Sequence, residues 1–127
     1  MTCKEAGTAI LLDFYIVDDD PSFGKSLKRM LSAMGYSADY FESAQSFFNS
    51  VSPDRHGCAV VDIHMPECDG FSLVDKMHDL HYDMPVVMVT GRCETDTRSI
   101  ALQKGALGFL QKPFGQESLF ELLGKTS

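Results

Sequence analysis

No stretch of the chain is apolar for long enough to span a bilayer. Its first twelve residues, broken by Lys4 and Glu5, lack the apolar run and small-residue cleavage site of a secretory signal. Cysteine is sparse and poorly spaced for redox or metal work, since Cys3, Cys58, Cys68 and Cys93 form no Cys-x-x-Cys pair. A chain of 127 residues can build a sufficient core without disulfides, so reduced thiols and a cytoplasmic location are expected. Internal repeats, low-complexity tracts and Pro/Gly/Ser-rich linkers are also missing. The expected organisation is one domain over residues 1–127, with 1–11 as a loosely ordered amino-terminal extension. Positive charge is scarce: 11 Lys and Arg stand against 18 Asp and Glu, a formal charge of −7. That balance disfavours direct nucleic-acid binding, which relies on cations displacing counterions from phosphate. A membrane partner is not expected either. What remains, 44% hydrophobic and 23% charged residues, is ordinary globular material.

The hydrophobic pattern alternates between short continuous runs and helical spacing, as buried parallel strands alternating with surface helices require. Strand-like runs occur at Leu12–Val17, Ala38–Phe41, Cys58–Val61, Pro85–Val89 and Gly108–Leu110. A first helix carries Phe23, Leu27, Met30, Leu31 and Met34, with Asp20 as cap, Pro21 in the first turn and Gly35 as stop. A second runs from near Ser43 through Phe47, Phe48 and Val51 until Pro53. A third opens after Asp69-Gly70 and buries Leu73, Val74, Met77 and Leu80. The fourth, from Glu94 to Lys104, is apolar only around Ile100, Ala101 and Leu102 and should be the least firmly packed. The last, about Gln116 to Leu123, packs Leu119, Phe120, Leu122 and Leu123. Five alternations joined by right-handed crossovers give an α/β fold: a doubly wound five-stranded parallel sheet, a flavodoxin-like three-layer sandwich.

Ligands of such folds gather beyond the carboxyl ends of the strands. Those positions hold Asp18, Asp19 and Asp20, then Asp62, Thr90 and, just past the fifth strand, Lys112. Carboxylates converging in a partly buried cleft repel one another, and a hard divalent cation relieves the repulsion; oxygen-only ligands favour Mg²⁺. Cation, hydroxyl and ammonium together form a receptor for a phosphoryl group, and an Asp within it can be the nucleophile. Asp62 stands alone and suits that role, whereas the adjacent Asp18 and Asp19 suit metal binding.

These residues resemble the receiver (phosphoacceptor) domain of bacterial two-component response regulators, over nearly the whole chain. Ile-Val-Asp-Asp-Asp at 16–20 is similar to the acidic pocket of that family. Val-Asp-Ile-His-Met-Pro-Glu-Cys-Asp-Gly at 61–70 matches its Asp-x-x-Met-Pro-x-x-Asp-Gly phosphorylation motif. Val-Thr-Gly at 89–91, Lys-Gly-Ala at 104–106 and Phe-Leu-Gln-Lys-Pro-Phe at 109–114 complete the set. The resemblance implies that Asp62 accepts phosphate from a sensor histidine kinase and that Asp19, Asp62 and the backbone carbonyl of His64 ligate Mg²⁺. Asp18 would support the ion through water, and Thr90 and Lys112 would grip the phosphoryl group. It further implies a switch of Thr90 and Phe109, and an output or homodimerisation face made by the fourth helix, fifth strand and fifth helix. The Lys112-Pro113 bond would be cis. The wording of the last motif is most similar to receivers that precede a DNA-binding or ATPase module, implying transcription control through an attached or partner effector. The chain would not be an enzyme beyond catalysing its own phosphotransfer and dephosphorylation.

The enzymatic rival is a small Mg²⁺-dependent phosphatase of the haloacid dehalogenase type using Asp18 and Asp20. It needs a further acidic pair after the lysine, where only Glu117 and Glu121 remain. A flavodoxin-like electron carrier needs a Ser/Thr/Gly-rich loop where this chain is acidic. Gly24-Lys25-Ser26 lacks the first glycine of a nucleotide-binding loop, because Asp19 occupies that position. His78 and His81, three apart, lack a third metal ligand.

Overall fold

A computed structural model describes residues 13–65, 69–91 and 96–124. The expected extension at 1–11, the start of the first strand at Leu12, Cys3, Cys68, Cys93, the opening of the fourth helix at Glu94 and the Leu123 side chain lie outside that set. Among the described residues five strands alternate with five helices: β1 (Asp13–Val17), α1 (Pro21–Ala33), β2 (Ser37–Phe41), α2 (Ala44–Ser50), β3 (Cys58–Asp62), α3 (Gly70–Asp79), β4 (Val86–Thr90), α4 (Thr97–Gln103), β5 (Gly108–Gln111) and α5 (Gln116–Gly124). The sheet is wholly parallel, in the order β2-β1-β3-β4-β5. This is the doubly wound sandwich that the alternating pattern predicts.

Inner strands β3 and β4 are buried along their whole length, which is why they read as unbroken Val-rich runs. Alternate residues face two cores. Tyr15, Val17, Ala59, Val61, Val86 and Met88 meet α2, α3 and α4 through Phe47, Leu73, Met77 and Ala101. Phe14, Ile16, Val60, Val87 and Val89 meet α1 and α5 through Leu27, Leu31 and Leu119.

The caps follow from sequence. The Asp20 carboxylate accepts hydrogen bonds from the backbone N–H groups of Ser22 and Phe23, and Pro21 occupies the first helical turn. Gly35, in the left-handed region at φ 93°, ends α1 by donating to the Ser32 carbonyl, while Tyr36 donates to that of Leu31. Ser43 and Asp69 cap α2 and α3. One expected core residue, Leu80, is corrected, and Met34, in the apolar spacing of α1, is exposed in the same way. Met34 and Leu80 are the C-caps of α1 and α3, where the chain turns off the helical path, and they are 40% and 43% exposed. The α2 helix stops at Ser50, short of Pro53, as Val51 turns extended. In α4 only Thr97 and Ala101 are buried, Ile100 and Leu102 face solvent and Asp96 makes no side-chain cap, but α2, equally short, buries Phe47 alone, so α4 does not stand out as the least packed helix.

Candidate functional site

The carboxyl ends of β1, β3, β4 and β5 present Asp18, Asp62, Thr90 and Lys112 along one edge of the sheet. Asp18 follows directly on β1, held by a hydrogen bond from its N–H to the Phe41 carbonyl and buried completely. One carboxylate oxygen, Oδ1, accepts from the Asp20 N–H at 2.8 Å. The other, Oδ2, lies 2.7 Å from Lys112 Nζ. That contact is a close ion pair, and Oδ2 accepts from no other group among the described residues. A buried anionic oxygen with one cationic neighbour keeps lone pairs able to meet a second.

Asp62 closes β3 with 4% exposure, accepts a long hydrogen bond of 3.3 Å from the His64 N–H, and stands 3.8 Å from Lys112 Nζ. Burial, reinforced by the nearby Asp18 charge, pushes the Asp62 carboxyl above the ordinary carboxylate range, with Lys112 and the His64 N–H opposing. Burial likewise raises Asp18, although Lys112 and the Asp20 N–H pull it down. Asp19 is exposed at the mouth. One carboxylate oxygen from each of Asp18, Asp19 and Asp62 lies within 4.8 Å of the others. An all-oxygen trio, partly buried, strained by like charge and carrying an unsatisfied lone pair, fits a hard divalent cation.

Thr90 is fully buried at the end of β4, and its carbonyl accepts from the Lys112 N–H at 2.7 Å, so the two expected phosphoryl-binding residues are joined through the backbone. The Lys112-Pro113 peptide bond is cis, as the resemblance implies. Phe109 on β5 is half-buried beside Met88, on the sheet face that also carries Thr90 one pleat further on. Asp20 points away from the cluster into its capping role.

Two neighbours of the site went unrecognised in the sequence. Tyr40 on β2 donates its hydroxyl to the Asp18 carbonyl at 2.7 Å, anchoring the acidic loop from the adjacent strand. Burial raises that phenol to about 12, so it stays a donor. The Phe23 ring lies 4.3 Å from Lys112 Nζ. Residues 16 and 40 pair across β1 and β2, but the edge strand had too weak a pattern to give that register from sequence. Phe23 carried no signal at all beyond its place on an apolar helix face.

Fold and site together define a doubly wound α/β protein with an acidic pocket and a lysine at the carboxyl edge of its sheet. The chain belongs to the response regulator receiver domain family, whose model matches residues 14–124. It is 31% identical over 109 residues to the transcriptional regulatory protein FixJ of Bradyrhizobium diazoefficiens, covering 86% of this chain and 53% of that protein. It is 33% identical over 110 residues to the response regulator protein TodT of Pseudomonas putida, covering 87% of this chain and 47% of that one. Among solved structures, a CheY-like receiver domain protein from Methanospirillum hungatei superposes with a TM-score of 0.81 at 28% identity, covering 92% of this chain and 94% of that one. The chain thus spans about half the length of the regulators it matches. The phosphatase alternative finds no support: Asp20 caps a helix, and Glu117 and Glu121 are exposed on α5. No helix among the described residues is long and apolar enough to cross a membrane.

Proposed function

We propose that this receiver domain accepts a phosphoryl group on Asp62 from a sensor histidine kinase and acts as a phosphorylation switch. The convergence of Asp18, Asp19, Asp62 and Lys112 at one sheet edge carries the reading. Asp19, Asp62 and the His64 carbonyl would hold Mg²⁺, with Asp18 behind them through water. When bound, the ion neutralises the carboxylates and supplies positive charge to the phosphoryl oxygens. An Asp62 oxygen forms the new bond to phosphorus as the bond between phosphorus and the donor breaks; the electron pair leaves with the donor, a kinase imidazole or the carboxylate of an acyl phosphate. Lys112 and Thr90 hold the remaining phosphoryl oxygens. Because Thr90 and Phe109 share one sheet face a pleat apart, movement of Thr90 toward the phosphate opens space that Phe109 fills, shifting an existing equilibrium at the α4-β5-α5 face. That face would serve homodimerisation, and an attached or partner effector would carry the signal to transcription.

Intact mass spectrometry after incubation with Mg²⁺ and a small acyl phosphate tests the reading. A single phosphoryl adduct is expected, absent in Asp62→Asn, with light scattering of the same sample reporting dimer formation. An adduct that persists in Asp62→Asn refutes the acceptor assignment.

A further inference from the structure

The Lys112 ammonium has a third neighbour besides the two carboxylates. The Phe23 ring, on the first turns of α1, lies 4.3 Å from Nζ at its centroid and meets Phe114, beyond Lys112 in sequence, edge-on at 5.7 Å. The two rings stand where α1 faces the segment after β5 and, with Ser26, Leu27, Met30 and Pro113, line a cavity of about 220 Å³. The lysine side chain is only 17% exposed there.

We infer that Phe23 is a positioning residue for phosphotransfer, holding the Lys112 ammonium beside Asp62 through a cation–π contact that leaves its N–H donors available to the incoming phosphoryl group. The inference rests on the phosphoacceptor reading of Asp62. Its physical basis is a difference between the three neighbours. Asp18, at 2.7 Å, holds the ammonium by direct charge pairing, and Asp62 stands 3.8 Å from Nζ. A ring face attracts a cation without neutralising it and without occupying a directional acceptor site. Phe23 therefore opposes escape of the ammonium into water, and its edge contact with Phe114 fixes the orientation of the ring. The positive charge remains whole for the three phosphoryl oxygens as the bond to Asp62 forms and the donor departs with its electron pair.

Graded fluorination separates this role from simple packing, because fluorine withdraws charge from the ring face while nearly preserving ring shape. Mono-, di- and trifluorinated phenylalanine would be installed at position 23, and the first-order rate of adduct formation followed by intact mass with Mg²⁺ and an acyl phosphate. The expected result is a stepwise fall in rate with each fluorine, reaching about threefold to tenfold in the trifluorinated protein, and a similar loss in Phe23→Leu with near-native rate in Phe23→Tyr. Thermal melting of each protein verifies the fold. Equal rates across the fluorinated series overturn the role of Phe23 and leave the acceptor assignment standing. A native protein that forms no adduct, or forms one that survives Asp62→Asn, overturns the acceptor reading itself and this inference with it.

Discussion

At the scale of single residues, Asp62 shows how the pocket stores unfavourable charge. Its folded pKa is raised, chiefly by burial and then by Asp18, so the folded protein binds a proton more readily than the unfolded chain does. Stability from this group is therefore complete below the unfolded carboxylate value and is lost as pH rises through the raised folded value. In the metal-free protein Asp62→Asn should raise unfolding stability at neutral pH by about 1–2 kcal/mol, with the advantage shrinking toward pH about 4. Urea denaturation in chelator across that range measures it, and a destabilised variant at neutral pH would contradict the account. The acidic residues were legible in the sequence because strand ends announce themselves by the break from an apolar run to Asp. The ring of Phe23 and the hydroxyl of Tyr40 were not, since each touches the site by contact between separate elements.

At the scale of elements, three helices end in the same way. After α1, α3 and α4 the residue past the cap takes positive φ, at Gly35, His81 and Gly105, and the next N–H returns to the helix at Leu31, Met77 and Ala101. Only α3 uses a residue with a β-carbon there: His81 at φ 66°, exposed. Replacing it should relieve the steric strain of the left-handed backbone, so His81→Gly is expected to stabilise the fold by about 1 kcal/mol, read as a higher denaturation midpoint at unchanged slope. The same endings explain the exposure of Met34 and Leu80. Both continue the apolar spacing of their helices, but each sits where the chain has begun to turn away. Strands β3 and β4 were plain in the sequence because both faces are buried, whereas edge strand β2 mixes exposed and buried positions and gave the faintest pattern.

For the molecule as a whole, the sheet order β2-β1-β3-β4-β5 brings residues 18, 62, 90 and 112 to one edge although long helical crossovers separate them in sequence. A ligand bridging Asp19 and Asp62 consequently ties β1 to β3 and favours the folded state by mass action. Mg²⁺ at about a hundred times its dissociation constant should add about 2.7 kcal/mol, visible as a thermal midpoint several degrees higher than in chelator. The increment should largely vanish in Asp62→Asn; a midpoint indifferent to Mg²⁺ in the native protein would argue against a site there. The opposite edge of the sheet, where β3 begins, carries an exposed turn at Ser52–Arg55 in which the Ser52 hydroxyl donates to the Asp54 carboxylate. Circularly permuted fluorescent reporters could accordingly be spliced into that turn, turning the domain into an optical gauge of its own chemistry without touching the edge where the chemistry happens.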